Sequence, residues 1–210
     1  MITNKHILTW LTKSAAVIEE NKQYLTKLDT AIGDADHGNN MNRGFKKVME
    51  QIETYEGKDI GAILKSVAMV LISTVGGASG PLYGTMFLQA GTKLAGKQEL
   101  TPEDLGLMLT AGLQGVKMRG KAVLGEKTMV DALEPAVDAY TKSLARGDSF
   151  SDALNLAVTT AEKSAEDTIP LIARKGRASY LGERSKGHKD PGATSVTLII
   201  ASLRDACLER

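Results

Sequence analysis

Cysteine and a charge imbalance are both nearly absent from this chain of 210 residues. Its single cysteine, Cys207, has no partner for an internal disulfide, which suits a protein kept in a reducing compartment. The 26 basic and 25 acidic residues give a formal net charge of +1. The overall charge therefore favours neither nucleic acid nor an anionic membrane as a partner, and the composition is that of an ordinary globular protein.

Long apolar segments are also missing. The longest apolar run, residues 67–75, is far shorter than the roughly 20 residues that a membrane helix needs. The first residues do not form a signal peptide, because Lys13, Glu19 and Glu20 interrupt any apolar stretch. We therefore expect a cytoplasmic protein folded as one domain over residues 1–210.

Both common nucleotide-binding motifs are absent. The chain has no GxxxxGK[ST] sequence and no GxGxxG between a strand and a helix. A nucleotide, if one is bound, must be held by some other scaffold.

Amphipathic helices are what the chain has in abundance. Apolar residues recur at helical spacing, as at Ile60, Ile63 and Leu64, and Thr101-Pro102-Glu103-Asp104 is a typical helix start. The predicted helices are 4–26, 39–56, 59–75, 81–95, 102–119, 128–146, 150–169 and 192–208. We expect a kink or early break at Pro135. The predicted fold class is all-α: an antiparallel barrel or bundle of eight amphipathic helices.

Several large or apolar side chains are expected to pack in the core of this bundle. They are Trp10, Met69, Met86 and Met108, with Cys207 as a small apolar residue of the last helix.

The connections between these helices alternate in character. Those after the first, third, fifth and seventh helices hold the unusual sequences LDTAIGDADHG, GGASGPLYG, RGKAVLGEK and ARKGRASYLGERSKGHKDPG, whereas the others are short or plain. In an up-and-down array the odd-numbered connections all lie at the same end. The pattern predicts a functional site at one rim.

Three aspartates, Asp29, Asp34 and Asp36, fall within eight residues of the first of these connections. Carboxylates this close repel one another unless a cation lies between them, and Mg²⁺ and Ca²⁺ prefer oxygen ligands. A solvated polar turn is the alternative. An EF-hand does not fit, because Gly38 falls where an oxygen ligand would be needed.

The second and fourth of these connections are suited to phosphate. Gly76, Gly77, Gly80 and Gly84 leave backbone amides accessible to an anion, and Pro81 can begin a helix whose positive end faces it. A simple turn is the alternative reading of these glycines. The last connection is basic, and an arginine there could hold phosphate oxygens in a bidentate way although most of its charges are expected to be solvated. The combination favours phosphoryl transfer assisted by positioning and charge neutralisation.

Two further residues stand out near these connections. His37 could accept a phosphoryl group, but no partner for its second ring nitrogen is visible, so contact with the ligand or orientation of the loop is favoured. Met129 begins a predicted helix in GEKTMVDAL, where it could pack against a flat base.

The segments DTAIGDADHGNNM, GGASGPLYG, GEKTMVDALEP and RASYLGERSKGHKDPGA together resemble the L subunits of dihydroxyacetone kinases, from about Leu28 to Ser195. Proteins of this family are antiparallel barrels of eight helices that hold ADP or ATP at one rim. The resemblance implies that Asp29, Asp34 and Asp36 bind two Mg²⁺ ions that bridge the nucleotide phosphates. It implies nucleotide contacts from His37, Gly38, Asn39, Asn40, Ala78, Ser79, Gly120, Met129, Arg177, Asp190, Pro191 and Gly192. Glu126 stands where the family usually has aspartate, which keeps the charge.

The family has two branches, and the resemblance favours the one in which the L subunit is a separate chain. There a phosphohistidine subunit of the phosphoenolpyruvate phosphotransferase system recharges a tightly bound ADP, and another subunit holds dihydroxyacetone. We accordingly expect a kinase subunit without a covalent or acid–base catalytic residue of its own, and without nucleic-acid or membrane partners. Two alternatives stay open: a nucleotide-state sensor that regulates a transcription factor, and an ATP-dependent kinase subunit for another small substrate.

Overall fold

A computed structural model describes residues 1–209, and most of this part of the chain is helical. The helices are α1 (Asn4–Glu20), α2 (Lys22–Ile32), α3 (His37–Met49), α4 (Ile60–Thr74), α5 (Ser79–Lys93), α6 (Pro102–Gly120), α7 (Val130–Ala145), α8 (Phe150–Glu166) and α9 (Pro191–Leu208). Short 3₁₀ turns occur at Ile52–Tyr55 and within Arg177–Ser185. The prediction of an all-α fold is confirmed, and no helix in the described residues is both long and apolar enough to cross a membrane.

Several helices begin where their capping residues predict. The Thr101 hydroxyl accepts a hydrogen bond from the Asp104 amide, and the Asp104 carboxylate accepts one from the Thr101 amide. Ser149 caps α8 by accepting from the amide of Asp152. The early break expected at Pro135 is not seen, because α7 continues through this residue to Ala145.

The described residues form one helix more than predicted. The helical segment predicted to end at residue 26 continues to Ile32, and it is interrupted at Asn21. The Asn21 backbone amide donates to the carbonyl of Val17 at 3.0 Å, and its carbonyl accepts from Leu25 at 2.9 Å, so helical hydrogen bonding continues across the break. The Asn21 side chain also donates to the Val17 carbonyl, a local bond that competes with regular helix geometry. Together α1 and α2 occupy the place of the predicted first helix, which extends to Ile32.

The helices close into a ring. Each helix from α3 to α8 packs against the next one along the chain, and α1 closes the circle by packing against both α9 and α3. Most neighbours are joined by short connections, which makes them antiparallel. A two-residue strand β1 (Ile2–Thr3) pairs antiparallel with β2 (Glu99–Leu100), and this pairing, which was not predicted, ties the N-terminus to the α5–α6 connection.

The interior of the ring is apolar. Trp10 stacks on Phe87 with ring centroids 5.4 Å apart, and its indole N–H donates to the carbonyl of Ile199. The predictions for Met86 and Met108 are confirmed, since both are buried, and Cys207 packs partly buried against the core. The prediction for Met69 is wrong. Its side chain is 61% exposed because it lies on the outward face of α4.

Candidate functional site

A cavity of about 500 Å³ opens at one end of the ring. This volume is within the range of small-molecule sites. Its walls come from all four of the unusual connections and the helix ends beside them: residues 29–37, 76–83, 116–130, 175–178 and 190–192 each contribute lining side chains or backbone. The alternation seen in the sequence therefore corresponds to a real convergence in space.

Four helices begin at this cavity. The first residues of α3, α5, α7 and α9, together with the residues just before them, line its wall. The N-terminal end of a helix carries a partial positive charge and unpaired backbone amides. Four such ends around one cavity make an environment suited to an anion.

The three aspartates lie at the edge of this cavity and form one cluster. One carboxylate oxygen from each of Asp29, Asp34 and Asp36 lies within 4.8 Å of the others. All three donors are hard oxygen ligands, which is the chemistry that Mg²⁺ and Ca²⁺ prefer. The residues present therefore fit a divalent cation.

Asp29 differs from its predicted setting, because it lies in the last turn of α2 and not in a loop. Its Oδ2 atom accepts hydrogen bonds from the backbone amides of Asp36 and His37 at 2.9 and 3.0 Å. Gly33 allows this arrangement, since a Cβ there would lie 2.0 Å from Asp29 Oδ1. The helix end and two amides thus hold the Asp29 carboxylate in a fixed position.

Arg177 joins the basic connection to the acidic cluster. Its Nε atom lies 2.9 Å from Asp34 Oδ2, and both side chains are substantially solvent-accessible. Exposed ion pairs of this kind contribute little stability. The guanidinium is therefore held at the cavity mouth without being committed to Asp34.

His37 is held through both ring nitrogens. Nδ1 lies 3.1 Å from Ser79 Oγ, Nε2 lies 2.8 Å from Ser195 Oγ, and Ser195 Oγ lies 2.7 Å from the hydroxyl of Tyr83. Burial lowers the pKa of His37, and two nearby aspartates act in the opposite direction. With both nitrogens engaged by serines, orientation of the helix starts is favoured over a role as phosphoryl acceptor.

Three of the four glycines of GGASGPLYG serve two different purposes. Gly77 has a positive φ of 63°, and its Cβ position faces open space on the cavity wall. At Gly80 a Cβ would lie 2.2 Å from the carbonyl oxygen of Val75, and at Gly84 it would lie 2.2 Å from Ile72 Cγ1. Gly80 and Gly84 are therefore needed for close packing between α4 and α5, whereas Gly77 shapes the cavity.

The start of α9 forms the far wall. Asp190 caps this helix, with its carboxylate accepting from the amide of Ala193 at 2.7 Å. Burial raises the pKa of Asp190 to about 7, although the Ala193 amide opposes this effect. Gly192 lies against Met129, with 3.5 Å between its Cβ position and Met129 Cβ, so both residues face the same part of the cavity.

Most of the predicted site residues line this cavity, but three do not. A Cβ on Gly38 would lie 2.0 Å from the carbonyl oxygen of Lys22, so this glycine serves the packing of α3 on α2. Asn39 is exposed outside the cavity. Asn40 is buried behind the glycine-containing loop, where its Oδ1 accepts from Arg43 at 2.7 Å. Their predicted contacts with a nucleotide stay predictions.

Sequence reasoning missed Lys127. Its side chain is only 1% exposed, and its ammonium donates to backbone carbonyls of the α8–α9 connection, residues 167–190. Burial lowers the pKa of Lys127, with Asp190 and Asp131 acting in the opposite direction. The only available signal was a lysine inside the unusual GEKTM segment. Its acceptors lie more than 40 residues away in sequence, so the contact could not be foreseen.

Comparison with known proteins gives close relatives over the whole length of the chain. It is 49% identical over 208 residues to the ADP-binding subunit DhaL of the PEP-dependent dihydroxyacetone kinase of Escherichia coli K12, covering 99% of both chains. It is 42% identical over 203 residues to the ADP-binding subunit DhaL of a PTS-dependent dihydroxyacetone kinase of Lactococcus lactis, covering 97% of both.

A solved structure has the same fold. The dihydroxyacetone kinase of C. freundii in complex with AMP-PNP and Mg²⁺ aligns with a TM-score of 0.70 and 25% identity. The alignment covers 94% of this chain but 33% of that kinase, so the match is to about a third of the larger protein. Residues 31–205 match the model of the DAK2 domain, and the chain belongs to this family.

Proposed function

We propose that this chain is the ADP-binding subunit of a phosphoenolpyruvate-dependent dihydroxyacetone kinase. The observation that carries the proposal is the aspartate cluster at the mouth of a cavity into which four helix starts point. That arrangement suits a magnesium-bound polyphosphate, and the relatives matched over nearly their whole length are named ADP-binding subunits of such kinases.

The residues divide the work of holding the nucleotide by charge. Asp29, Asp34 and Asp36 would bind Mg²⁺. We propose two ions, as the resemblance to the L subunits of dihydroxyacetone kinases implies. When bound, Mg²⁺ would neutralise part of the negative charge of the phosphates. Ala78 and Ser79 line the same cavity at the start of α5, where backbone amides would receive the remaining phosphate charge.

The other end of the nucleotide would lie against the apolar part of the wall. Met129 and Pro191 line the cavity beside the start of α9 and offer flat apolar contact for a base. Arg177 would turn from Asp34 toward the phosphates, since its ion pair is solvent-accessible and weak.

This chain would act by positioning. His37 is the residue that could serve as a nucleophile, but both of its ring nitrogens are hydrogen-bonded, one to Ser79 and the other to Ser195. In the proposal, a phosphohistidine subunit of the phosphotransferase system supplies the phosphoryl group and a substrate-binding subunit presents dihydroxyacetone to receive it. The nucleotide carries the phosphoryl group from the first subunit to the second, and this chain keeps the nucleotide bound throughout. Such a carrier must dissociate slowly, so we propose that ADP is tightly bound.

The two alternatives receive no support from the comparisons. A nucleotide-state sensor and an ATP-dependent kinase subunit for another substrate would both use the same cavity. The relatives of matching length, however, are named subunits of phosphoenolpyruvate- or phosphotransferase-system-dependent dihydroxyacetone kinases.

Coupled turnover tests the proposal. The purified chain is combined with a dihydroxyacetone-binding subunit, the phosphotransferase proteins and phosphoenolpyruvate, and dihydroxyacetone phosphate is measured with an NADH-linked reductase. We expect that product forms only when both this chain and phosphoenolpyruvate are present. Free ATP should not replace phosphoenolpyruvate. Absence of product would overturn the proposed kinase role, and equal turnover with ATP alone would favour the second alternative.

A further inference from the structure

The ammonium of Lys127 lies in a cage of backbone carbonyls. Nζ is 2.7 Å from the oxygen of Thr168, 3.3 Å from that of Ile169 and 3.2 Å from that of Leu171, and it also donates to His188. Carbonyl oxygens only accept hydrogen bonds, so the three N–H groups of the ammonium are shared among four acceptors. Rings of carbonyl oxygens are also the usual coordination for a desolvated monovalent cation.

The neighbouring carboxylates are engaged elsewhere. Asp190 accepts from the amide of Ala193, and Asp131 accepts from the amides of Gly125 and Thr128. The direct partners of the ammonium are therefore the carbonyls.

The cage joins the two ends of the α8–α9 connection. Three of its carbonyls come from the start of this connection and one comes from its end. Between these ends the chain passes the cavity mouth, where Lys175, Gly176 and Arg177 line the wall. A single buried cation therefore holds both ends of the segment that presents Arg177 to the site.

The backbone of Lys127 is itself unusual. Its φ of +62° is in the left-handed region that side chains other than glycine rarely adopt. Lys121, in the same connection between α6 and α7, also has a positive φ of 50°, but its side chain is exposed and does not line the cavity. The connection thus contains two lysines with left-handed backbone. Of these, Lys127 is the one whose side chain binds carbonyl groups of another segment.

We propose that Lys127 is a positioning residue whose ammonium acts as a tethered monovalent cation, fixing the α8–α9 connection so that Arg177 and Asp190 keep a nucleotide in place. This rests on the proposed nucleotide-binding function for its effect on ADP, but the effect on the connection itself does not depend on any ligand. Lys127 lines the cavity, but the hydrogen bonds of its ammonium all go to backbone carbonyls of the α8–α9 connection.

The first test uses Lys127→Met, which keeps length but removes the charge and the donors, with Lys121→Met as the matched control. Limited proteolysis of the chain without nucleotide measures the exposure of residues 174–187, which contain several basic cleavage sites. We expect cleavage on the order of tenfold faster in Lys127→Met, because unpaired carbonyls left in the cage cost about the free energy of a tenfold change. The control should be cleaved at the wild-type rate. Equal rates in the two variants would overturn the proposal.

Chemical rescue by small cations distinguishes a cation-specific role from general packing. If Lys127 only filled space, added cations would not change the cleavage rate of a variant that lacks it. Lys127→Gly relieves the positive φ and leaves space in the cage, so added NH₄⁺ or K⁺ should restore resistance to cleavage. Tetramethylammonium at the same ionic strength cannot donate hydrogen bonds and is too large, so it should have no effect. Equal restoration by all three cations, or by none, would overturn the tethered-cation assignment.

The rate of ADP release connects the cage to the site. We expect ADP release on the order of tenfold faster from Lys127→Met than from Lys121→Met. Release from Lys127→Gly should also be faster than from the wild type, and added NH₄⁺ should slow it. If the wild-type chain binds no ADP, the proposed function fails while the proteolysis result still stands.

If Lys127→Met does not fold, it is replaced by Lys127→Gln, which keeps two N–H donors. Failure of both variants to fold, with or without NH₄⁺, would overturn the positioning role.

Discussion

Asp190 is the residue whose burial should be most visible in the pH dependence of stability. Its pKa in the folded chain is raised to about 7, so it stays protonated where the unfolded chain has already ionised. The folded state then binds more protons, and raising the pH from about 4 to 7 lowers the free energy of unfolding through this group. Asp190→Asn keeps a good helix cap and removes the titration. We expect the wild type to lose stability relative to the variant across this range, by at most about 1.4 kcal/mol per pH unit.

Urea unfolding of the nucleotide-free proteins at several pH values measures this difference. Asp59→Asn is the control, because Asp59 also caps a helix, α4, and lies away from the cavity. The same pH dependence for both variants would contradict the buried setting of Asp190.

Individual site residues were predictable where their chemistry was concentrated in sequence. Asp29, Asp34 and Asp36 form a conspicuous group of carboxylates, and the structure brings them together. Ser195 and Lys127 were not predictable, because each acts through a contact with residues far away in the chain. A hydroxyl or ammonium that completes a buried network carries no local pattern, so only the folded arrangement reveals it.

At the scale of elements, the close approach of α4 and α5 depends on a pair of glycines. A Cβ at Gly61 would lie 2.7 Å from the carbonyl oxygen of Gly91 and 2.8 Å from that of Leu94, which are backbone atoms that cannot move aside. We expect Gly61→Ala to lower the free energy of unfolding by about 1–3 kcal/mol, as overpacking does elsewhere. Thermal or urea unfolding followed by circular dichroism measures the change.

Gly106→Ala, in α6, is the matched comparison. Its nearest neighbour is Tyr140 Cε1 at 3.4 Å, an ordinary contact, so the added methyl group fits. Alanine is a better helix former than glycine by about 1 kcal/mol, so we expect this variant to be unchanged or more stable. The packing argument would be wrong if Gly61→Ala were as stable as Gly106→Ala.

The existence of the helices was predicted well, and their ends less well. Periodic apolar residues identify α4 and α9 because one face of each is buried. The end of α2 was missed, since Asp29 and Gly33 are typical of turns and the helix nevertheless continues to Ile32. There, two amides at the start of α3 bind the Asp29 carboxylate, and this tertiary contact outweighs local preference.

On the scale of the whole molecule, closure of the ring creates the site. When α1 packs against α9, the starts of α3, α5, α7 and α9 are all directed into one cavity. The four helix ends and the acidic cluster together supply both signs of charge around this cavity. The alternation of the connections predicted this convergence because topology alone decides which ends of an up-and-down array meet.

Metal removal should therefore release the nucleotide and destabilise the entire chain. We expect the purified protein to carry ADP, identified after denaturation, and to lose it in EDTA because nothing then offsets repulsion between phosphates and the three aspartates. Binding to the folded state alone raises the unfolding temperature, so the chelated protein should melt lower and recover when Mg²⁺ and ADP are added together.

Asp34→Asn provides the matched variant for this experiment. It removes one carboxylate of the cluster, and we expect at least about tenfold weaker retention of ADP with the helical content unchanged, because Asp34 lies outside the core. Asp167→Asn, an exposed acid that pairs with Lys163 away from the cavity, should retain ADP like the wild type. An Asp34→Asn protein that kept its ADP in Mg²⁺ as well as the wild type would show that the aspartate cluster does not hold the metal.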